Sequence, residues 1–338
     1  MSALTTLKAP LKRGALVTAA NWPLLLVQFV AESTFKLLVA VPVIGGVFLV
    51  ALALGRDVDE LWRWNLRDSI GALLEALRSH PAALSGFVAA VLITVVGGSA
   101  LMFLIKGGTL SVLIAAEADA GPVERLPVRM AILRRLHRSE VPLFLEGCHR
   151  LFPQFLRLGI CLLIAYALFG GAYLSALAVG YRLLVDQGWA TAWPFVMAVC
   201  SVALFASITF VNLTYLLLQM VIAATDSGVG HAFREMLMFV GARFWHVSGV
   251  FVVTLVLVLL ATMASLLATT GLSLISFVPF AGLAVLPLQV VTWLLRGLVF
   301  QYLGLAAFTA YLSIYQAWRR GQLADETASR ALSIGRTA

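Results

Sequence analysis

Charged side chains are scarce in this sequence. Of its 338 residues, 12% are charged and 61% are hydrophobic, whereas an ordinary soluble domain carries about 25% charged residues. Lipid must cover apolar surface on that scale, which excludes a soluble globular protein. The formal net charge of +8 lies mostly in loops beside hydrophobic stretches, so we interpret it as a determinant of membrane topology and predict no nucleic-acid partner.

The sequence also has little of what enzymes and metal sites require. Its cysteines, Cys148, Cys161 and Cys200, form no CxxC pair, which disfavours disulfides and thiolate metal sites. The five histidines form no HExxH pair, and no GxSxG, Walker or dinucleotide glycine pattern is present. We therefore predict no metal, no cofactor and no catalytic residue, and an enzymatic activity is disfavoured.

Long apolar stretches are what the sequence has instead. The last of them, 286–315, contains one formal charge, Arg296, and a helix of that length exceeds the roughly 30 Å hydrocarbon thickness of a bilayer. Six such stretches predict an all-α, polytopic transmembrane bundle in a single membrane domain, 1–318. The predicted spans are about 23–54, 82–105, 158–179, 193–223, 247–268 and 286–315.

The segments between the spans predict additional helices at the membrane surface. Residues 11–20 form an interfacial lead-in that ends at Asn21-Trp22-Pro23, and 56–80 have the spacing of a surface helix. Residues 118–157 are basic and predict amphipathic helices. The polar tail, 319–338, is expected to be partly disordered beyond its first turns.

Three places predict interruptions of the spans. Pro42 is expected to kink the first span. The second span is expected either to project beyond the bilayer or to break at Gly107-Gly108. The uncharged linker 271–280 is expected to dip into the interface or to re-enter the bilayer.

The distribution of basic residues predicts the orientation. With six spans both termini share one side, and that side carries 16 of the lysines and arginines against 5 on the other. The positive-inside rule then places both termini in the cytoplasm, in the inner membrane of a bacterium. The basic cytoplasmic helices also predict contact with anionic lipid headgroups, and a protein partner remains open.

A repeated pattern marks the ends of two spans. Residues 112–121 and 220–228 both contain Ile-Ala-Ala followed by a glycine-bearing turn, and 311–320 resemble them more loosely. Each predicted repeat is an interfacial helix, a span, an outer connection and a second span, so three repeats give six spans. Convergence on a common Ile-Ala-Ala sequence is the alternative.

This organisation resembles a broad group of bacterial six-span proteins that includes the membrane domain of some glycerophosphoryl diester phosphodiesterases. The resemblance rests on the lead-in helices, the long even-numbered spans and the turns at 114–116 and 222–224. It implies a membrane-domain role alone, because no segment here encodes the separate phosphodiesterase barrel.

Polar side chains inside the spans predict one binding or structural layer. Its members are Gln28, Glu32, Lys36, Asn212, Gln289 and Arg296. Helical rise places Glu32 and Arg296 both about 15 Å deep, so we predict that they pair, with Lys36 competing for the same carboxylate at i, i+4. On the third span, Ala167, Gly171 and Ser175 form a small-residue ladder that predicts close helix packing.

Three functions remain open from the sequence. The first is a non-enzymatic scaffold or accessory subunit that contacts lipids. The second is a transporter or permease that uses the midplane polar layer. The third, a membrane-embedded lipid enzyme, is the least favoured because no catalytic motif is present.

Overall fold

The computed structural model describes residues 2–53, 81–121, 123, 141–185, 190–276 and 281–335. Over these ranges the chain is helical and contains no strand. The helices are α1 (Ser2–Ala20), α2 (Trp22–Ala53), α3 (Pro81–Asp119), α4 (Val141–Val185), α5 (Trp193–Thr225), α6 (Val229–Ser276) and α7 (Ala281–Gly335), with one 3-10 turn at Ala190–Ala192. The predicted surface helix at 56–80 lies outside the described residues.

Six of these helices, α2 to α7, are long and apolar enough to cross a membrane. None of the residues in the most apolar 18-residue window of α4 or of α5 is buried within the protein. Apolar side chains exposed along whole helices require lipid as their solvent. The predicted class, a polytopic helical membrane protein with six spans, is confirmed.

The first helix boundary agrees with its prediction. Helix α1 ends at Ala20, and the side-chain amide of the next residue, Asn21, donates to the carbonyl of Val17 at 3.0 Å. Pro23 then occupies the first turn of α2, where its missing N–H would have no intrahelical acceptor. The lead-in is longer than predicted, because α1 begins at Ser2.

Other helices are more continuous than the sequence predicts. Helix α3 runs through Gly107 and Gly108 to Asp119, so the predicted break is replaced by an extended helix. Residues 141–157 are the first part of α4 and join the third span without interruption. Helix α7 continues to Gly335, so residues 319–335 of the predicted tail are helical, while the last four residues of the 271–280 linker are outside the described part of the chain.

One span does contain a kink. Helix α6 departs from helical geometry at Arg243, with φ −127° and ψ 31°. This residue separates an amphipathic segment, 229–242, from the apolar stretch predicted to begin at 247. The kink therefore marks the point where a surface helix becomes a span.

The chain forms two compact bodies. The smaller body is Val27–Lys106, and the larger body is Met1–Leu26 with Gly107–Ala338. In the smaller body the ring of Phe35 on α2 packs against Gly98 on α3, where a β-carbon has no room. This contact joins α2 to α3 through an aromatic ring and a residue without a side chain.

The buried core of the larger body lies at the ends of the second, fourth and sixth spans, which belong to α3, α5 and α7. These are called the even-numbered spans below. We call this core the helix-end core; it consists of 107–117 of α3, 217–223 of α5 and 305–315 of α7, where most residues are buried. Its bulkiest enclosed side chains include Tyr311 and Tyr315. Packing within the protein is thus concentrated in the segments that carry the predicted repeat.

Amphipathic segments surround this core in a cyclic order. Helix α1 packs against the end of α7 and the end of α3. The first part of α4 packs against the end of α3, and α4 also packs against α5. Helix α6 packs against α5 and α7, which closes the cycle. Three copies of the predicted repeat would produce this arrangement.

Two of the helix crossings are built in the same way. A methyl group on Gly14 of α1 would lie 2.5 Å from the carbonyl oxygen of Ala306 and 2.8 Å from the amide nitrogen of Ala310, both on α7. A methyl group on Gly147 of α4 would lie 2.9 Å from the carbonyl oxygen of Gly107 on α3 and still closer to the side chain of Ser111. Glycine therefore lets the helix backbones touch at both crossings.

The small-residue ladder of the third span behaves differently. Ala167, Gly171 and Ser175 are exposed, and no atom of the described chain lies within 4 Å of the position where Gly171 would carry a β-carbon. Among the described residues, the prediction of close helix packing by this ladder is wrong. Small residues permit close approach but do not cause it, and here the surrounding helix face is exposed.

Candidate functional site at the helix ends

The predicted polar layer divides between the two bodies. In the smaller body Glu32 Oε1 pairs with Lys36 Nζ at 2.5 Å along one face of α2. The side chains of Lys36 and Glu32 are 63% and 33% exposed. Lys36, which the sequence predicts to compete with Arg296 for the carboxylate of Glu32, thus does pair with it. One turn earlier, Gln28 is buried, and its Oε1 has no hydrogen-bond partner among the described residues.

The layer's remaining members lie in the larger body and do not form one cluster. The guanidinium of Arg296 lies over the ring of Phe300, 5.8 Å from its centroid. Gln289 is half-buried on the same helix. Asn212 on α5 accepts a hydrogen bond of 2.6 Å from the hydroxyl of Tyr166 on α4. Asn212 therefore links two spans, the role that isolated polar residues commonly have in membrane helices.

The predicted contact between Glu32 and Arg296 would join the two bodies. It stays a prediction. What the structure establishes is that each charge has a local interaction, Glu32 with Lys36 and Arg296 with Phe300.

Of the ion pairs between described residues of the larger body, the most deeply buried is one that the sequence does not single out. Arg13 Nε on α1 lies 2.8 Å from Glu117 Oε1 on α3. The Glu117 side chain is 1% exposed and that of Arg13 is 15% exposed. Two charges this well removed from water persist only when they are paired in good geometry.

Arg13 also terminates α3. It donates from Nη2 to the carbonyl of Glu117 at 3.0 Å and from Nη1 to the carbonyl of Gly121. Gly121 has φ +53°, the left-handed conformation that glycine adopts most readily at the end of a helix. A positive charge at this point satisfies free carbonyls and opposes the negative end of the helix dipole.

A similar but looser arrangement ends α5. Asp226 adopts a left-handed conformation with φ 53°, and its N–H donates to the carbonyl of Ile222. Arg150 on α4 lies 3.9 Å from the Asp226 carboxylate. In both cases an arginine on a surrounding segment approaches the end of an even-numbered span.

The end of α7 carries a third polar group. Tyr315, fully buried, donates a hydrogen bond to Glu235 Oε1 on α6. Glu235 also lies 3.6 Å from His231 and 3.9 Å from Arg319. The rings of Phe239, Tyr315 and Trp318 pack together beside this group. The carboxylate therefore anchors α6 to α7.

A cleft opens beside the Arg13–Glu117 pair. Its volume is about 380 Å³. The lining residues are Arg13, Glu117, Ser313 and Arg320, with Ala9, Pro10 and Ala317. It combines two arginines, one carboxylate and one hydroxyl at the place where the apolar part of α3 ends. A polar or charged small group is the kind of ligand that such a lining recognises.

The sequence held signals for this site. Glu117 lies in the first Ile-Ala-Ala pattern, at the end of a long apolar span, and Arg13 lies in the lead-in helix. Arg13 counts among the basic residues that predict the topology, and Glu117 lies within the repeated pattern at 112–121. A lone acid at a span end and a basic lead-in helix predict no particular pairing until the helices are placed in space.

The described residues contain no evident group of metal ligands. Among the described residues, no three His, Cys, Asp or Glu side chains are close enough together to hold a metal ion. Cys148, Cys161 and Cys200 are free thiols. Three further acids, Asp57, Asp59 and Glu60, follow the first predicted span and lie outside the described ranges.

Comparison with family models, with curated protein sequences and with solved structures found no match. The resemblance to the membrane domain of glycerophosphoryl diester phosphodiesterases therefore stays a prediction.

Proposed function

We propose that this chain is a non-enzymatic multi-pass protein of a bacterial inner membrane that acts as a scaffold or accessory subunit and contacts phospholipid headgroups at its helix-end core. The observation that carries the proposal is the Arg13–Glu117 pair beside its cleft. These buried charges hold two helices together, and the neighbouring Arg320 remains exposed at the same end of the molecule.

The orientation in this proposal rests on the basic residues. The helix-end core lies at the same ends of the spans as the 16 lysines and arginines assigned to the side of the termini. That side is the cytoplasmic one under the positive-inside rule. Basic side chains there attract anionic lipid headgroups by about 1 kcal/mol per residue near the surface.

A transporter is the second candidate, and two buried side chains favour it. Gln28 Oε1 on α2 and Gln219 Nε2 on α5 have no hydrogen-bond partner among the described residues. Unsatisfied polar atoms inside apolar spans are costly unless water or a solute meets them. A membrane-embedded lipid enzyme is favoured least, because the cleft is lined by a single carboxylate and by no histidine.

Reconstitution into vesicles tests the scaffold against the transporter. We expect the purified protein to retain phospholipid through detergent exchange and to gain thermal stability when lipid is added back. Vesicles that contain it and a trapped pH indicator are expected to show the proton permeability of empty vesicles. A proton or ion flux that Glu32→Gln abolishes would overturn the scaffold function in favour of transport.

Protease accessibility of the C-terminus supplies the orientation test. A reporter fused after Ala338 should be protected from protease added to intact spheroplasts. Digestion of that reporter without lysis would contradict the cytoplasmic placement of the C-terminus.

A further inference from the structure

The cleft beside Arg13 contains a hydrogen-bond acceptor that no described residue uses. Glu117 Oε1 pairs with Arg13, but Oε2 is buried and makes no hydrogen bond to any described residue. A buried carboxylate oxygen without a donor costs free energy. Because Glu117 lines the cleft, a donor that enters the cleft can meet Oε2 after a modest rotation of the carboxylate.

A second residue of the cleft lining, Arg320, supplies a positive charge. Arg320 on α7 is exposed, and its Nε donates to the carbonyl of Gln316, 3.3 Å away on the preceding turn. Ser313, one further turn back, donates to the carbonyl of Ala310 at 2.8 Å and keeps its oxygen as an acceptor. Arginine is the side chain best suited to bind a phosphate through paired N–H donors.

The position of the cleft corresponds to the headgroup level of a membrane. It lies where α3 leaves its apolar stretch, and the exposed charges of Arg319 and Arg320 follow the apolar part of α7. Its volume of about 380 Å³ is within the range of small-molecule sites, roughly 300–1,000 Å³.

We propose that this cleft binds a phosphoethanolamine group, with the ammonium donating to Glu117 Oε2 and the phosphate paired with Arg320. The proposal rests on the proposed function as a protein that contacts phospholipids, and it names the headgroup. The group can come from phosphatidylethanolamine or from free phosphoethanolamine, which share this chemistry.

Other ligands satisfy the cleft less well. A bare cation would meet Arg13 and Arg320 with no anion to offset them. A phosphate alone would leave Glu117 Oε2 without a donor. Phosphatidylcholine has the same charges, but three methyl groups replace the N–H donors of its ammonium, so it provides a control that lacks the proposed hydrogen bond and carries a bulkier cation.

The test measures lipid binding to the full chain in detergent micelles. Thermal unfolding would be followed during titration with phosphatidylethanolamine, phosphatidylcholine, phosphatidylglycerol or free phosphoethanolamine. Binding to the folded state raises the unfolding midpoint with ligand concentration. We expect phosphatidylethanolamine to bind roughly tenfold more tightly than phosphatidylcholine, the effect of one charge-assisted hydrogen bond.

Arg320→Gln provides the matched variant because it leaves the Arg13–Glu117 pair intact. We expect it to weaken phosphatidylethanolamine binding roughly tenfold. Arg319→Gln, at the neighbouring position but directed to Glu235, is expected to retain the wild-type affinity.

The outcomes distinguish a failure of the phosphoethanolamine site from a failure of the proposed contact with lipids. Equal stabilisation by all three lipids would overturn the phosphoethanolamine site while leaving lipid contact in place. No stabilisation by any lipid would overturn both. An equal loss in the Arg319 and Arg320 variants would also reject the site. A response to free phosphoethanolamine would support the same chemistry and identify a soluble source, whereas a response to the lipid alone would identify the membrane.

Discussion

The helix-end core and the membrane-facing parts of α4 and α5 have similar apolar compositions but opposite surroundings. In the core, residues 107–117, 217–223 and 305–315 are mostly buried against other helices. Along α4 and α5, large side chains such as Leu163, Leu168, Phe195 and Phe205 are exposed to more than half of their surface. Hydrophobicity alone therefore does not determine which part of a span packs against protein.

What distinguishes the core is how closely backbones approach and where charges are paired. Gly14 and Gly147 allow direct backbone contact, and Arg13 with Glu117 joins two helices through a buried pair. In lipid the hydrophobic effect does not favour one apolar contact over another, so packing and polar bonds determine helix association. Substitutions should consequently be damaging in the core and mild on the membrane-facing surface.

The largest difference in stability is expected between two variants that each truncate one basic side chain. Arg13→Ala leaves Glu117 buried without its partner and removes the donor to the end of α3, so we expect a destabilisation of about 3–5 kcal/mol. Arg150→Ala, which removes a half-exposed pair with Asp226 at 3.9 Å, should cost less than about 1 kcal/mol. Thermal or denaturant unfolding in detergent compares them. Similar losses in both variants would show that burial does not strengthen the Arg13 contact.

The next largest difference is expected between two glycines. Gly14→Ala places a methyl group against the backbone of α7 and should destabilise the protein by about 1–3 kcal/mol. Gly171→Ala adds the same methyl group where no neighbour lies within 4 Å, and it should be neutral or slightly stabilising. The same unfolding measurement applies. A neutral Gly14→Ala would mean that the crossing with α7 is looser than described.

The smallest effect concerns the predicted Glu32–Arg296 pair, which would extend buried charge pairing beyond the helix-end core. If the residues meet, Glu32→Gln and Arg296→Gln should each destabilise by about 0.6–1.7 kcal/mol, and the reversal Glu32→Arg with Arg296→Glu should recover stability. Additive losses in the reversal, or no loss in either single variant, would show that Glu32 does not pair with Arg296.

The sequence was most informative about features that are specified by a long run of consecutive residues. A helix of apolar residues is specified by composition over 20 or more positions, so the six spans were predictable, and Asn21 before a proline-containing turn marked the end of α1. Continuity was less predictable. Gly107 and Gly108 weaken a helix in isolation, but here Gly107 packs against Gly147 and the helix continues.

The candidate site was harder to predict, because its members are distant in sequence. Arg13, Glu117, Ser313 and Arg320 come from three helices, and their convergence depends on the cyclic packing of α1, α3 and α7. Counting residues inward from the span ends predicts the depth of each member of the polar layer but not its rotation about the helix axis, and that rotation brings Asn212 to Tyr166 on another helix. Arg296 instead lies over Phe300, four residues further along the same helix, so this contact is local.

By itself, the sequence determined that this chain is a helical membrane protein with six spans, since the length and apolarity of a span follow from the thickness of the bilayer. Tertiary structure alone decided which parts of those spans are buried and which charges meet. In lipid every apolar face is equally well solvated, so the choice of neighbours depends on shape, on the few positions without side chains and on the pairing of rare charges. None of these properties can be read from the hydropathy of a single helix.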